Sequence, residues 1–267
     1  MKGFLIYPVL LILLIGTPAY ADFAKALDAF ESGDYTTALK EWEPLAEQGH
    51  VGAQNKLGLM YQHELGVTQD YNAAAKWYKL AAEQGLAEAQ NNLGGMYRNG
   101  LGVTQDHNAA AKWYKLAAEQ GLVYSQNNLG GMYLQGLGVT QDYKAALKWY
   151  KLAAKQGHAL SQYSLGKMYK SGLGVTQNYQ ISAKWYKLAV EQGFIVAQVN
   201  LDLIYARGQG VIQDYTRAHM WFNISASQGD EVAVINRGKI EKKMTPSQIE
   251  KAQKLARECV AKNYKDC

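Results

Sequence analysis

The chain has 267 residues, is 48% hydrophobic and 19% charged, and carries a formal net charge of +5 with two cysteines. So mild a charge does not call for nucleic acid as a partner, and two cysteines allow at most one intrachain disulfide. In chain order, Met1–Ala21 reads as a secretory signal. Lys2 supplies the positive start, Phe4 to Ile15 the apolar core, and Ala19-Tyr20-Ala21 a small-x-small cleavage site. The apolar run is about 12 residues, or about 18 Å as a helix, too short for a hydrocarbon core of about 30 Å. No Cys follows the cleavage site, so a lipid anchor is not expected. The mature chain is expected to begin at Asp22, without a transmembrane segment, in the bacterial periplasm or beyond. Losing Lys2 takes the charge from +5 to +4.

From there the sequence repeats itself. Asp34, Asp70, Asp106, Asp142, Asn178 and Asp214 lie 36 residues apart, as do Gly49, Gly85, Gly121, Gly157, Gly193 and Gly229. A fixed period of this size marks stacked supersecondary units. Within one unit, Ala89, Leu93, Met96 and Tyr97 share a helical face, which predicts a helix A over roughly Ala87–Asn99. Gly100-Leu101-Gly102 ends it, and Asp106 is the expected N-cap of a helix B over about His107–Glu119. Ala110, Trp113, Leu116 and Ala117 form the apolar face of helix B, and Gly121 stops it. Two such helices bury their faces only by stacking on neighbours. Gly58, Gly94, Gly130 and Gly166 fall inside helix A, where each costs about 1 kcal/mol against Ala. The expected return is close approach of helix B beneath the Trp column, Trp77, Trp113, Trp149, Trp185 and Trp221. That column is read as repeat core, with an aromatic ligand cage as the alternative.

The pattern A-x-x-LG-x-MY-x-x-G-x-GV-x-x-DY-x-x-A-x-x-WY-x-x-A-A-x-x-G resembles the Sel1-like repeat, a relative of the tetratricopeptide repeat with a longer loop. The resemblance covers about five full repeats and a half-repeat. It implies an all-α, right-handed α-α superhelix of about six helix-turn-helix repeats, which binds proteins or peptides on its concave helix A face. Many Sel1-like proteins carry a disulfide in each repeat; this chain does not, so its repeats hold by packing.

On this reading, residues 22–49 form an N-terminal capping half-repeat, with Trp42 one place off the Trp column. Five repeats follow at 50–85, 86–121, 122–157, 158–193 and 194–229. The first has Glu64 in place of a loop glycine, and the fifth has Asp202 at the helix A glycine position. The substitution at 202 puts the tightness of the last pair in question. Residues 230–267 read as a degenerate repeat and a capping helix that starts at Thr245-Pro246-Ser247-Gln248. Cys259 and Cys267 are expected to pair, worth about 2.6 kcal/mol for a loop of about nine residues. Intermolecular pairing or a free thiol are the alternatives.

The sequence offers no catalytic residues, metal ligands or cofactor motif. The five His are not spaced as ligand pairs, no G-x-S-x-G elbow is present, and the G-x-G of each repeat does not open a helix. Lys76, Lys79, Lys112, Lys115, Lys148, Lys151, Lys184 and Lys187 form a ladder on helix B, read as a solvated face, with a stripe for nucleic acid or acidic lipid as the sharper alternative. Carrying the groove positions of tetratricopeptide relatives onto helix A selects Asn55, Glu88, Asn91, Arg98, Tyr124, Asn127, Leu134, Tyr163, Lys167, Lys170, Val199, Leu203 and Arg207, with Leu160 and Val196 beside them. Asn55, Asn91 and Asn127 suit an extended peptide backbone. The later, apolar positions beside Lys167, Lys170 and Arg207 suit aliphatic or aromatic anchors with an acidic group. The expected function is a monomeric, non-catalytic adaptor, periplasmic or secreted, that binds a protein or peptide and not nucleic acid. A β-lactamase-like or cell-wall hydrolase is the alternative.

Overall fold

The computed structural model describes residues 18–265 and 267. The signal read over Met1–Ala21 lies outside the described residues as far as residue 17, and Pro18 opens the first helix. Among the described residues there are fourteen helices and no strand. They fall into two compact units, divided between Gln105 and Asp106.

The first unit holds α1 (Pro18–Glu31), α2 (Tyr35–Glu47), α3 (Val51–His63), α4 (Tyr71–Glu83) and α5 (Ala87–Asn99), each packed on the next. The second holds α6 (His107–Glu119), α7 (Val123–Gln135), α8 (Tyr143–Lys155), α9 (Ala159–Ser171), α10 (Tyr179–Val190), α11 (Ile195–Arg207), α12 (Tyr215–Ser227), α13 (Glu231–Glu241) and α14 (Pro246–Ala261). Successive helices pack in order through α13, and α14 returns onto α12.

The caps follow the sequence signals. The Asp106 and Asp142 carboxylates each accept two backbone N–H bonds at the start of a helix B, and Asn178 accepts one from Ile181. Thr245 and Gln248 form a capping box on α14. The loop glycines are set by crowding: a Cβ on Gly138 would collide with the His107 carbonyl. Glu64 holds the left-handed conformation (φ 59°) that glycine takes in the other loops.

The close approach expected beneath the Trp column is made by the neighbouring column. A Cβ on Gly58, Gly130 or Gly166 would lie 2.6, 2.9 or 2.5 Å from Cδ1 of Tyr78, Tyr150 or Tyr186. Those tyrosines are buried, whereas Trp77, Trp113 and Trp185 are only half-buried. The reason is helical geometry: Tyr is one residue, about 100°, further round helix B than Trp and faces helix A directly. This also explains Trp42, which stands 36 residues before Tyr78 and is fully buried in the first core. It belongs to the Tyr column rather than to a shifted Trp column.

A second device, a glutamine clasp, recurs from repeat to repeat. The Gln126 amide, buried in α7, donates to the Ala118 carbonyl at 3.2 Å, and its oxygen accepts from Gln156 at 2.9 Å. Gln156 also reaches the Gly121 carbonyl at 3.0 Å. Gln54 and Gln84 repeat this clasp in the first unit, with Ala46 and Gly49. The signal was present as two further 36-residue columns of Gln.

Candidate partner-binding rows on the A helices

In the first unit, Asn55 of α3 is half-buried and its Oδ1 accepts from Asn92 Nδ2 at 3.4 Å. Glu88 is exposed in the first turn of α5, Arg98 in its last turn, and Asn91 is half-buried between them.

In the second unit, Asn127 of α7 accepts from Ser161 Oγ at 3.0 Å. The oxygens of Asn55 and Asn127 each carry one bond that ties one A helix to the next. Leu134 packs on the core between α8 and α9, and Leu203 on the core between α12 and α13. Both remain partly exposed. Tyr163 is half-buried, its ring 5.8 Å from Tyr186 and 5.2 Å from Phe194, with the Lys167 ammonium 5.6 Å above it. It forms a wall rather than a projecting anchor.

What stands free is a row at the second residue of each A helix. Tyr124, Leu160, Val196 and Val232 follow one another at 36-residue steps and are 61%, 42%, 54% and 56% exposed. Val199 lies half-buried one turn after Val196. The row runs on into α13, where Ile235 is exposed too. The groove positions carried from the sequence end with the fifth repeat, although residues 230–267 read as a further, degenerate repeat.

Away from this row, towards the C-terminal ends of α9 and α11, the charge is positive and unneutralised. The Lys170 ammonium donates to Asn200 Oδ1 at 3.1 Å. Burial lowers its pKa, and Arg207 and Lys167 lower it further. Three cations thus share one region, and none of them is in an ion pair among the described residues.

No group of three or more His, Cys, Asp and Glu gathers as a metal site among the described residues. The buried His219 imidazole meets Glu241 Oε1 at 2.8 Å, and Arg237 lies 3.7 Å from the same oxygen. This pair joins α12 to α13, with the imidazole sealed from solvent. Cys259 and Cys267 form a disulfide, with Cα atoms 5.6 Å apart.

The model of the Sel1 repeat matches five consecutive segments: residues 51–86, 87–122, 123–158, 159–194 and 195–230. The chain belongs to the Sel1 repeat family. Its fold class is accordingly the all-α solenoid of that repeat, and Sel1 repeat proteins generally act as non-catalytic protein–protein interaction scaffolds.

Two solved Sel1-type structures are similar over most of the chain. One is a protective antigen present in uropathogenic Escherichia coli strains and displaying an SLR fold. It is 40% identical, with a TM-score of 0.82 over 93% of this chain and 54% of that one, so this Sel1 protein spans about half the antigen's length. The other is a Sel1 repeat protein from Oxalobacter formigenes, 31% identical, with a TM-score of 0.77 over 88% of this chain and 99% of that one. No curated protein matches the sequence. No helix among the described residues is long and apolar enough to cross a membrane.

Proposed function

We propose that this Sel1 repeat protein is an exported, monomeric adaptor that holds a protein or peptide partner along the A helices of its second unit. The observation that carries the proposal is the row Tyr124, Leu160, Val196 and Val232. These are four exposed apolar side chains, each at the same place in its helix. Solvent-facing apolar groups in register, with cations further along the same helices, have the chemistry of an interaction surface. The preferred ligand presents aliphatic or aromatic side chains to the row and a carboxylate to Lys167, Lys170 and Arg207. Export rests on the signal-like Met1–Ala21, and the disulfide suits an oxidising compartment.

The test is affinity capture from envelope and culture fractions with the wild type and with Tyr124→Ser/Leu160→Ser/Val196→Ser. All three side chains are exposed, so the variant keeps its fold. Loss of captured proteins in the variant alone supports the row. The same proteins captured by both would place binding elsewhere. Fractionation of the producing cell tests the location independently.

A further inference from the structure

The B helices of the second unit carry a different surface. α6 reads HNAAAKWYKLAAE and α8 reads YKAALKWYKLAAK. Apart from the aromatic first position, the two differ at three places: Asn108 becomes Lys144, Ala111 becomes Leu147, and Glu119 becomes Lys155. Each change adds positive charge or apolar surface or removes negative charge.

The result on α8 is Lys144, Lys148, Lys151 and Lys155, spaced i, i+4, i+7 and i+11, one continuous stripe along a helix. None of the four is in an ion pair among the described residues. On the other B helices, Lys115 is paired with Glu119 at 3.8 Å and Lys187 with Glu191 at 3.9 Å, while Lys112 and Lys184 are not paired. Asp142, two residues before Lys144, caps α8 by accepting from the Lys144 and Ala145 backbone N–H groups.

Apolar groups lie among the lysines. Leu116, Leu152 and Leu188 hold the same position on α6, α8 and α10 and are 45%, 38% and 41% exposed. Beside α6, Lys112 and Lys115 border an open recess of about 500 Å³ backed by Tyr133 and Val139. Beside α10, Lys184 and Lys187 border one of about 270 Å³ backed by Tyr205 and Val211. Cationic heads over apolar recesses and exposed leucines match an interface with anionic headgroups outside and acyl chains beneath. A purely electrostatic partner, such as an acidic polymer, gains nothing from the leucines.

We infer that the B-helix face centred on α8 docks this protein peripherally on an anionic phospholipid surface, leaving the A-helix row for its protein partner. The docking does not depend on the partner-binding proposal.

The test is flotation of the full chain with phosphatidylcholine vesicles, with and without phosphatidylglycerol. Two variants accompany it: K144N/L147A/K155E, which gives α8 the residues α6 already tolerates, and Leu116→Ser/Leu152→Ser/Leu188→Ser. The apolar N-terminal segment is common to all three proteins, so the differences report on the B helices. The wild type is expected to float with the phosphatidylglycerol vesicles and to be released by salt. The lysine variant is expected to partition at least roughly 30-fold less, from two lysines lost at about 1 kcal/mol each, with K155E adding a negative charge and L147A removing apolar surface besides. The leucine variant is expected to float less at low salt and to be released at lower salt than the wild type. Equal partitioning of the lysine variant and the wild type would overturn the inference. So would an unchanged leucine variant whose binding is competed by soluble heparin, because the face would then be a polyanion site.

Discussion

The pair α9–α10 and the pair α11–α12 occupy successive places in one stack, yet they are held differently. In the first, Gly166 lets the Tyr186 ring lie on the backbone of α9, and Ser182 Oγ donates to the Gly166 carbonyl at 2.7 Å. Gln162 donates to the Ala154 carbonyl at 3.3 Å and accepts from Gln192 at 2.8 Å. In the second, Asp202 replaces the glycine and Phe222 the tyrosine, while Ala218 keeps the residue of Ala74, Ala110 and Ala146, to which Ser182 is the exception. Gln198 accepts from Ser225 while its own amide nitrogen has no partner, and Gln228 turns to the Tyr264 hydroxyl at 2.8 Å. Phe222 is buried with Ala233 and Ile240, in the core that α12 shares with α13. The pair still closes, with Leu201, Ile204, Trp221 and Phe222 buried, but it encloses a carboxyl group with no hydrogen-bond partner.

The largest expected effect breaks the tighter pair. Gly166→Val puts a Cβ and two methyls against the Tyr186 ring and should destabilise the protein by about 3 kcal/mol. The readout is the thermal or urea transition followed by circular dichroism. Next, Gln162→Leu and Gln198→Leu separate the two clasps. The first strips hydrogen bonds from the Ala154 carbonyl and the Gln192 amide and should cost about 2 kcal/mol. The second removes an amide that is already half unsatisfied and should cost less than about 1 kcal/mol. Equal costs would mean that the clasp has the same worth in both pairs.

A further effect of small size has the opposite sign. Asp202→Ala should stabilise by about 1 kcal/mol near neutral pH, since it removes a buried carboxyl that lacks a partner. Burial, and secondarily Asp230, raise the Asp202 pKa well above its ordinary 3.8. The native state therefore holds a proton that the unfolded chain releases, and wild-type stability declines as pH rises from about 3.8 towards the folded pKa. The advantage of the variant should grow over that same range in melts at successive pH values. An advantage independent of pH would show that Asp202 titrates alike in both states.

The helices and their caps were legible because they rest on local chemistry. Asp106 opens α6 and Gly100 follows α5 through bonds made within a few residues. The choice between neighbouring aromatics was not legible in the same way. Trp149 and Tyr150 are adjacent and both apolar, and only the facing glycine, twenty residues before Tyr150, shows which one lies on α7. The candidate site was legible as a set of rows but not as individual roles. Asn127, Leu134, Tyr163 and Leu203 share the groove register with Tyr124, yet they are drawn into hydrogen bonds, ring contacts or cores by the next helix.

By itself the sequence determined the repeat, its period, its helix ends and its family, since each copy states the same periodicity and capping residues. The tertiary structure decided which repeated positions face a neighbour and which face water. That depends on how one helix stacks against the next, which a periodic sequence constrains only on average. The exposed row from Tyr124 to Val232 and the buried carboxyl of Asp202 are both set at that level.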